Sequence, residues 1–456
     1  MREYDIIVIG SGCGMLVAEE AAEAGKLVAV VDKGPLGGTC LNLGCIPTKM
    51  LIHVADRIVE AQEAKKLGVT FKIENIDFSG IMDRMRLTIK ETGDNVRKGI
   101  SENKNINFYE GTGKFIDKYT LEVNEKQLKS RLIIVASGSR PFVPPIKGLD
   151  SVDYLTNESA LQLKEKPESL IIIGGGYIAV EYGHFFAAMG TRVIMVEMAD
   201  RLILAEEPEI SALLQKELSK RMEVHTDMQA LEIKKSAEGV AVVVMDKQAN
   251  QQKEFSGQRI LIAVGRKSNA DLLQVEKTGV ELDKRGFIRV NEYLETSRKG
   301  IYAIGDANGQ QMFTHVSNAE AMLLANNVLY GAQDVMDYTA APHAVYSHPK
   351  IASIGLGEEQ AKMEHEILVG KTEYTSVAKG DAMMETDSFA KVILEKGTGK
   401  ILGFHIIGSS APELIQEVVN AMSSGGHVEE INRSMHIHPA LSELVESAIN
   451  NVQEVQ

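Results

Sequence analysis

Two of the three cysteines lie close together, within residues 37–49, whose sequence is GGTCLNLGCIPTK. Four residues separate Cys40 from Cys45, and a loop of that length closes into a disulfide only if its backbone is distorted, which Gly44 and Pro47 favour. A disulfide in so tight a loop is more easily reduced than one that staples a fold. A metal site would need His or acidic ligands besides Cys13. The segment therefore predicts a redox pair, with two unrelated thiols as the alternative.

A second group able to do chemistry lies near the C-terminus, where Glu443 follows His438 by five residues. A carboxylate can orient an imidazole, and the imidazole can then transfer protons near neutral pH. The same spacing is typical of a helix-capping segment with a surface histidine. On spacing alone, both interpretations stay open.

The cysteine pair follows a predicted strand–helix–strand unit, with strands over 5–9 and 27–31 and a helix over 15–24. The turn after the first strand contains Gly10 and Gly12. Glycines at these positions let the backbone approach a pyrophosphate, which the free N–H groups of the helix N-terminus can bind.

The third position of this glycine motif is normally small, but here it is Met15, which is expected to push the helix slightly outward. Asp32 ends the second strand, where an acidic residue can bind a ribose hydroxyl. Cys13 lies inside the turn and is interpreted as a small buried residue, with a third redox thiol as the alternative. By itself, the motif is also compatible with an ordinary tight turn.

The pattern recurs with predicted strands over 170–173 and 192–196 and a helix over 178–189. Here the glycine motif is complete, at Gly174, Gly176 and Ala179. Glu197 ends the second strand, where a carboxylate accepts hydrogen bonds from the ribose of NAD and repels the extra phosphate of NADP. Arg201, four residues on, makes that preference less strict. Two such units predict an α/β protein with two Rossmann-like dinucleotide-binding domains.

The last part of the chain has a different pattern. Strand-like runs at 391–394 and 401–407 alternate with amphipathic helical segments at 412–423 and 442–452, which predicts a separate α+β domain. Domain boundaries are expected near Pro144-Pro145, near residues 265–269 and near Ala341-Pro342.

Composition excludes several classes of protein. A net charge of −14 is unsuited to binding nucleic acid or an anionic membrane. No apolar run approaches the length of a membrane span, and the N-terminus does not have the pattern of a signal peptide. With three cysteines in 456 residues, a secreted disulfide scaffold is not expected. The sequence predicts a cytoplasmic enzyme without a resident metal.

Residues 37–49 resemble the redox-disulfide segment of the class I pyridine nucleotide–disulfide oxidoreductases, and other segments resemble that family in the same order along the chain. These segments are 135–141 (VASGSRP), 176–181 (GYIAVE), 264–266 (VGR), 305–307 (GDA), 344–349 (AVYSHP), and His438-Pro439 with Glu443. The resemblance implies an FAD-binding domain in two parts, an NAD(P)-binding domain and a C-terminal α+β dimerisation domain. The expected ranges are 1–145 and 269–340 for FAD, 146–268 for NAD(P) and 341–456 for dimerisation.

The resemblance also implies roles for individual residues. Cys45 would be the flavin-side thiol and Cys40 the outer thiol that exchanges with substrate. His438 of the partner subunit would donate and accept protons, held by Glu443, so the active sites of a homodimer would be shared.

Further residues have implied roles at the cofactors. Lys49 would pair with Glu181 near the flavin, and Tyr177 would cover the nicotinamide pocket. The residues expected to bind FAD or NAD are Gly10, Gly12, Asp32, Lys33, Gly38, Thr39, Lys49, Ser137, Gly138, Gly174, Gly176, Tyr177, Ile178, Glu181, Glu197, Gly265, Gly305 and Asp306.

Different segments resemble different members of the family. Glu197, followed by Asp200-Arg201, is similar to the NAD-using dihydrolipoamide dehydrogenases. Residues 177–181 are closer to glutathione reductase, and residues 315–320 are closer to mycothione reductase. No cysteine follows Cys45, unlike in mercuric reductases and large thioredoxin reductases. The expected function is oxidation of dihydrolipoyl groups by NAD⁺. The alternatives are NAD(P)H-dependent reduction of a small disulfide and a flavoprotein that has lost turnover.

Overall fold

A computed structural model describes residues 1–454 and divides them into two compact units. The first unit comprises Met1–Thr48, Met82–Phe142 and Gly265–Asp337. The second comprises Lys49–Ile81, Val143–Val264 and the chain from Tyr338 onwards. The chain therefore passes repeatedly between the units, and each unit is assembled from segments that are distant in sequence.

The centre of the first unit is a five-stranded sheet whose neighbouring strands are all parallel. Its strands, in spatial order, are Ile301–Ala303, Ile133–Val135, Ile6–Ile9, Val28–Asp32 and Ile106–Glu110. Alternate residues of Ile6–Ile9 enter two separate hydrophobic clusters, because successive side chains point to opposite faces of a sheet. Burial on both faces explains why this strand is an unbroken apolar run.

Shorter elements complete the first unit. Its helices are Gly14–Glu23, Gly38–Asn42, Ala270–Leu273 and Thr314–Tyr330, with 3₁₀ turns at Val275–Thr278 and Gly305–Ala307. A four-stranded sheet has the order Arg2–Glu3, Lys126–Lys129, Thr120–Val123 and Lys114–Phe115, and Ser139–Pro141 pairs with Arg266–Ser268. Two longer helices, Cys45–Glu63 and Phe78–Glu102, each contribute residues to both units.

A second parallel sheet lies in the second unit, with the order Glu223–His225, Arg192–Val196, Ser169–Ile173 and Arg259–Ile262. Its glycine turn leads into the helix Tyr177–Ala188. A three-stranded antiparallel sheet follows, formed by Met228–Ser236, Gly239–Asp246 and Gln251–Gly257. The other helical elements of residues 143–264 are Leu149–Ser151, Asn157–Ala160 and Pro208–Leu218.

The C-terminal part of the second unit is a six-stranded antiparallel sheet with helices. The strand order is His343–Val345, Ile351–Gly355, Ile401–Ile407, Phe389–Glu395, Ile367–Glu373 and Val452–Glu454. The helices are Glu358–Glu364, Ala378–Ala382, Ala411–Ser423, Glu429–Asn432 and Glu443–Asn450, with a 3₁₀ turn at Tyr374–Ser376. The chain thus contains two parallel sheets with dinucleotide-type turns and a C-terminal α+β part. This confirms the predicted fold class.

One predicted element is wrong at its end. The helix expected over 442–452 stops at Asn450, and Val452–Glu454 forms a strand instead. Val452 pairs with Gly370 at the edge of the antiparallel sheet. The amphipathic pattern does not reveal this strand because its pairing partner lies about eighty residues away in sequence.

Candidate active site

The cysteine segment is built from local hydrogen bonds around two short helical stretches. Cys40 lies within the helix Gly38–Asn42, and Cys45 is the first residue of the helix Cys45–Glu63. The Asn42 side-chain amide donates to the Leu36 and Gly38 carbonyls at 2.8 and 2.9 Å. These bonds hold the loop before the second cysteine in shape.

Cys45 has a setting suited to a reactive thiol. It is exposed, and a helix N-terminus stabilises anionic groups such as a thiolate. Its Sγ lies 3.5 Å from Oγ1 of Thr314, which begins the helix Thr314–Tyr330. A hydroxyl at this distance can donate to a thiolate. Sequence reasoning missed Thr314, because the two residues are 269 positions apart and no local pattern links them.

The two segments that carry Cys40, Cys45 and Thr314 are free of acidic side chains and of Lys and Arg. Residues 36–48 and 310–319 contain no Asp, Glu, Lys or Arg, and His315 is their only basic side chain. Ile46, next to Cys45, is 44% exposed, and Met312, near Thr314, is 38% exposed. The segments that meet at Cys45 are therefore neutral and partly apolar.

The first glycine turn has the shape of a phosphate cradle. Gly10 has φ +109°, and a Cβ there would lie 2.1 Å from the Ala136 carbonyl oxygen. A Cβ on Gly38 would lie 2.8 Å from the Gly12 Cα, so the turn and the cysteine segment approach too closely for a side chain. The helix Gly14–Glu23 packs closely against the strand Ile6–Ile9 at Gly14, where an added Cβ would lie 2.8 Å from the Val8 side chain. The packing glycine is therefore one position earlier than the motif predicts, and Met15 is not the packing position.

Asp32 lies at the strand end and organises this turn. Its Oδ2 accepts hydrogen bonds from the Ser11 N–H and hydroxyl, both at 2.6 Å, and its Oδ1 accepts from the Gly34 N–H at 2.7 Å. Of the about four lone-pair sites of a carboxylate, one on Oδ1 remains for a ribose hydroxyl. Lys33 follows on the exposed surface, and Thr39 is half-buried beside Cys40. These positions fit the sugar and phosphates of FAD.

Two further segments of the first unit meet around Asp306. Ser139 donates to its Oδ2 at 2.5 Å, and the Arg266 Nε donates to the Ser139 hydroxyl at 2.6 Å. The buried Glu320 accepts from the Gly305 N–H at 2.5 Å and fixes the 3₁₀ turn that contains Asp306. Sequence reasoning did not identify Ser139, Arg266 or Glu320 as parts of this arrangement.

The Ser137 hydroxyl is a buried polar group that could bind a cofactor. Its hydroxyl oxygen is buried, and within residues 1–454 it has no hydrogen-bond partner. Buried hydroxyls are normally paired, so the position fits a polar atom of the flavin cofactor. Gly138 follows with φ +65° and open space around it.

Cys13 is half-buried rather than fully buried, and it packs against a hydrophobic cluster of the central sheet. A Cβ on Gly305 would lie 3.1 Å from its Sγ. Burial, together with the negative charge of Glu320 and Asp306, raises the pKa of the Cys13 thiol to about 12. A thiol with that pKa stays protonated at neutral pH, which disfavours a third redox thiol.

The second glycine turn combines a tight backbone with an open face. Gly174 has φ +119°, and a Cβ there would lie 2.3 Å from the Ala263 carbonyl oxygen. Gly175 is covered by Glu197, whose Cγ would lie 2.8 Å from an added Cβ. Gly176, by contrast, is exposed with nothing within 4 Å. That open position, just before the helix beginning at Tyr177, fits the pyrophosphate of NAD.

Substitutions in this turn should separate stability from binding. Gly174→Ala should lower the free energy of unfolding by about 1–3 kcal/mol or more, because the side chain meets a carbonyl at a strained φ. Gly176→Ala should leave unfolding unchanged but weaken NAD⁺ binding by filling the cradle. Thermal unfolding and calorimetric NAD⁺ titration measure the two effects. Equal NAD⁺ affinity for Gly176→Ala and the parent would contradict the assignment.

Glu197 and its neighbours complete the second turn. Glu197 is half-buried at the strand tip, and its Oε1 accepts from the Ala199 N–H at 2.6 Å. Ile178 is half-buried in the first turn of the helix Tyr177–Ala188. Gly265 has φ +125° and open space around it.

Lys49 and Glu181 form the ion pair that the resemblance implied. The Lys49 Nζ lies 2.8 and 2.9 Å from the two carboxylate oxygens of Glu181. Glu181 also accepts from the Tyr346 N–H at 3.1 Å, and the Lys49 ammonium lies 4.7 Å from the centre of the Tyr346 ring. Tyr346 therefore contacts both members of the pair, which sequence reasoning did not predict.

His438 and Glu443 are also brought together. The His438 Nδ1 lies 2.8 Å from Oε1 of Glu443, whose other oxygen accepts from the Ala440 N–H at 2.9 Å. The Ala440 hydrogen bond, and after it the one from His438, hold the pKa of Glu443 below its usual value. The carboxylate therefore stays charged and engages Nδ1, which leaves Nε2 to exchange protons.

Large apolar side chains next to His438 in sequence are exposed. The His438 side chain is 72% exposed, and the neighbouring Met435 and Ile437 are 99% and 77% exposed. Large exposed apolar side chains mark surfaces that another chain covers.

Comparison with known proteins identifies the family of this fold and site. The chain belongs to the pyridine nucleotide-disulphide oxidoreductases, whose family model matches residues 4–322 and whose dimerisation domain matches residues 341–449. The protein is thus a flavoprotein oxidoreductase that uses FAD and NAD and forms a homodimer.

Several characterised relatives match almost the full chain. Mycothione reductase of Mycobacterium tuberculosis is 34% identical over 98% of this chain and 99% of its own. Dihydrolipoyl dehydrogenase of Bacillus subtilis is 33% identical over 98% of this chain and 96% of its own. Mercuric reductase of Streptomyces lividans is 33% identical over 98% of this chain and 95% of its own. The structure of the HOCl-induced flavoprotein disulfide reductase RclA from Escherichia coli matches with a TM-score of 0.87, at 26% identity over 98% and 99% of the two chains.

Two other classes of site are absent from residues 1–454. These residues contain no helix long and apolar enough to cross a membrane. They also contain no group of three or more His, Cys, Asp and Glu side chains that could hold a metal ion.

Proposed function

We propose that this protein oxidises dihydrolipoyl groups with NAD⁺, through Cys40 and Cys45. The proposal is carried by the two segments that meet at Cys45, which contain no Asp, Glu, Lys or Arg and include exposed apolar side chains. A dihydrolipoyl group has an alkyl chain and an uncharged amide, which suit such surroundings. Disulfides that bear several carboxylates need cationic partners, and residues 36–48 and 310–319 supply none beyond His315. Glu197 supports NAD as the nucleotide.

The reaction consumes a dihydrolipoyl dithiol and NAD⁺ and yields a lipoyl disulfide, NADH and a proton. When bound, FAD supplies the two-electron chemistry that links the nicotinamide to the cysteine pair. The residues proposed to hold it include Gly10, Asp32, Ser137 and Asp306.

Thiol exchange is assigned to the cysteines. A dihydrolipoyl thiolate attacks Sγ of Cys40 in the Cys40–Cys45 disulfide, forming a mixed disulfide and releasing Cys45 as a thiolate. The second substrate thiolate then attacks the substrate sulfur, closes the lipoyl ring and releases the Cys40 thiolate. The Thr314 hydroxyl is placed to donate to the Cys45 thiolate.

Proton transfer is assigned to His438 of the partner subunit. The substrate thiols must lose protons to become nucleophiles, and imidazole Nε2 can accept them near neutral pH. Glu443 orients the ring through Nδ1. The apolar surface around Ile437 supports a site completed across the homodimer.

A second candidate is the reverse chemistry, in which NADH reduces a low-molecular-weight disulfide. The 34% identity to mycothione reductase over 98% of the chain favours it. The same cysteines and histidine would serve both directions, and the potentials of the flavin and the disulfide would decide between them.

The deciding experiment is NAD⁺ reduction by dihydrolipoamide with the FAD-loaded protein. Turnover on the order of tens per second, near or above the middle of the enzyme range, is expected. If NADH still reduces the bound flavin but turnover of dihydrolipoamide is negligible, the dihydrolipoyl proposal is rejected. A panel of NADH-dependent disulfide reductions, with mycothione and glutathione disulfides, would then test the second candidate.

Nucleotide preference provides a separate prediction. Glu197→Arg should lower kcat/KM for NADH by about tenfold or more, because the ribose loses its carboxylate acceptor. Steady-state kinetics with NADH and NADPH measure the change. Asp200→Arg is the matched control, since it makes the same change of charge on the exposed turn nearby. An unchanged or higher preference for NADH in Glu197→Arg would contradict the strand-tip assignment.

A further inference from the structure

A buried acid–histidine pair lies outside the residues that the proposed reaction uses. Glu206 is only 3% exposed. Its Oε1 lies 2.8 Å from the His343 Nε2, and its Oε2 accepts from the Ser353 hydroxyl at 2.6 Å. Burial alone would raise the pKa of Glu206, but the hydrogen bond and charge of His343, with the Ser353 bond, bring that pKa below its usual value. A buried carboxylate is therefore held charged by these two partners.

The His343 ring also packs against Tyr177, the aromatic residue that the family resemblance assigns to the nicotinamide pocket. The rings of His343 and Tyr177 lie 6.0 Å apart at 72°, an edge-to-face arrangement. Tyr177 is the first residue of the helix Tyr177–Ala188, directly after Gly176. Burial, and then the charge of Glu206, raises the pKa of Tyr177, so the phenol stays neutral.

Hydrogen bonds tie this arrangement to the second glycine turn and to the helix that follows it. The Ile203 N–H donates to the Gly175 carbonyl at 2.9 Å, and the Glu206 N–H donates to the Ile203 carbonyl at 2.9 Å. In addition, the strand His343–Val345 leads to Tyr346, whose N–H binds Glu181. Glu206 and His343 are therefore placed by separate segments that converge on Tyr177.

We propose that His343, fixed by Glu206, is a positioning residue that holds the Tyr177 ring in the nicotinamide pocket and thereby sets the affinity for the nicotinamide half of NAD. The proposal rests on the proposed function, which requires a bound NAD, and on the role at the nicotinamide pocket that the family resemblance implies for Tyr177. Neither His343 nor Glu206 touches the reacting atoms in this assignment.

The test compares NAD⁺ with ADP-ribose, which lacks the nicotinamide, by calorimetric titration of the FAD-loaded homodimer. His343→Gln keeps a hydrogen-bond donor for the buried Glu206 but removes the ring. It should bind NAD⁺ roughly three- to tenfold more weakly, the size expected for loss of an aromatic pair, and should bind ADP-ribose as the parent does. In turnover, KM for the nucleotide should rise while kcat stays close to the parent value.

Controls make the result specific. His365→Gln changes a similar pair, in which His365 lies 2.8 Å from Glu395, and it should leave both affinities unchanged. Tyr177→Ala should weaken NAD⁺ binding selectively, and the double variant with His343→Gln should lose little more, since both residues act through one ring.

Three other outcomes would each reject a different part of the proposal. Parent-like NAD⁺ binding by His343→Gln, with selective loss in Tyr177→Ala, rejects the positioning role and leaves the Tyr177 assignment intact. No selective loss in Tyr177→Ala rejects that assignment and the proposal with it. Equal weakening of ADP-ribose means that His343 supports the domain as a whole. These titrations contain no dithiol, so a failure of dihydrolipoamide oxidation leaves their outcome unaffected.

Discussion

Replacing Cys40 with serine should abolish turnover of the dithiol or disulfide substrate while leaving reduction of the flavin by NADH intact. The substituted serine cannot form the disulfide that substrate attacks, whereas the nucleotide turn and the flavin cradle keep all their residues. Substrate turnover should fall below detection. NADH-dependent reduction of an artificial acceptor, which takes electrons from the flavin directly, should stay close to the parent rate.

Cys13→Ser is the matched control, because it also removes one thiol from the first unit. The Cys13 thiol stays protonated and packs against Gly305, so its loss should leave disulfide turnover in place. Full disulfide activity in Cys40→Ser would show that the thiol assignment is wrong. Loss of acceptor reduction together with disulfide turnover would show damage to the flavin site instead.

Removing the imidazole at His438 should slow thiol exchange by a factor of about 10²–10⁴, the usual effect of losing a general acid–base. The half-reaction between NADH and the flavin should not change, because His438 serves only the thiols. Stopped-flow measurement of each half-reaction separates the two effects. His427, an exposed histidine that lies 3.2 Å from the Thr398 carbonyl in the same unit, provides the control substitution His427→Ala. An unchanged exchange rate in His438→Ala would show that His438 is not the general acid–base for thiol exchange.

Mixed dimers test whether the site is shared. A subunit with Cys40→Ser still supplies His438, and a subunit with His438→Ala still supplies Cys40. If each site takes His438 of the partner subunit, unfolding and refolding an equal mixture should restore about a quarter of the parent activity, since half of the dimers are mixed and each has one intact site. A site contained within one subunit would give no restoration.

Sequence predicted the strands best where apolar runs are buried on both faces. Arg192–Val196 and Ile401–Ile407 have the expected bounds, and Ile6–Ile9 differs by one residue. The strand Val452–Glu454 was missed because its stability comes from pairing with a distant strand rather than from its own composition.

Within the site, the pairs separated by few residues were predictable and the distant contacts were not. The spacing of His438 and Glu443 already allowed the hydrogen bond that the structure contains. Resemblance to the family, rather than any local pattern, suggested the Lys49–Glu181 pair. Neither route indicated Thr314 at Cys45, since that contact depends on how the first unit folds.

The contact between Gly12 and Gly38 has a consequence for how substrate range can evolve. The loop that presents Cys40 also forms part of the wall of the first glycine turn, with no room for a methyl group between them. A side chain at Gly38 would therefore displace the first glycine turn, which is proposed to bind FAD, along with the segment that carries Cys40. New specificities in this lineage are expected to arise on the partner's side of the site, where exposed side chains such as Met435 and Ile437 can change without disturbing the cofactor.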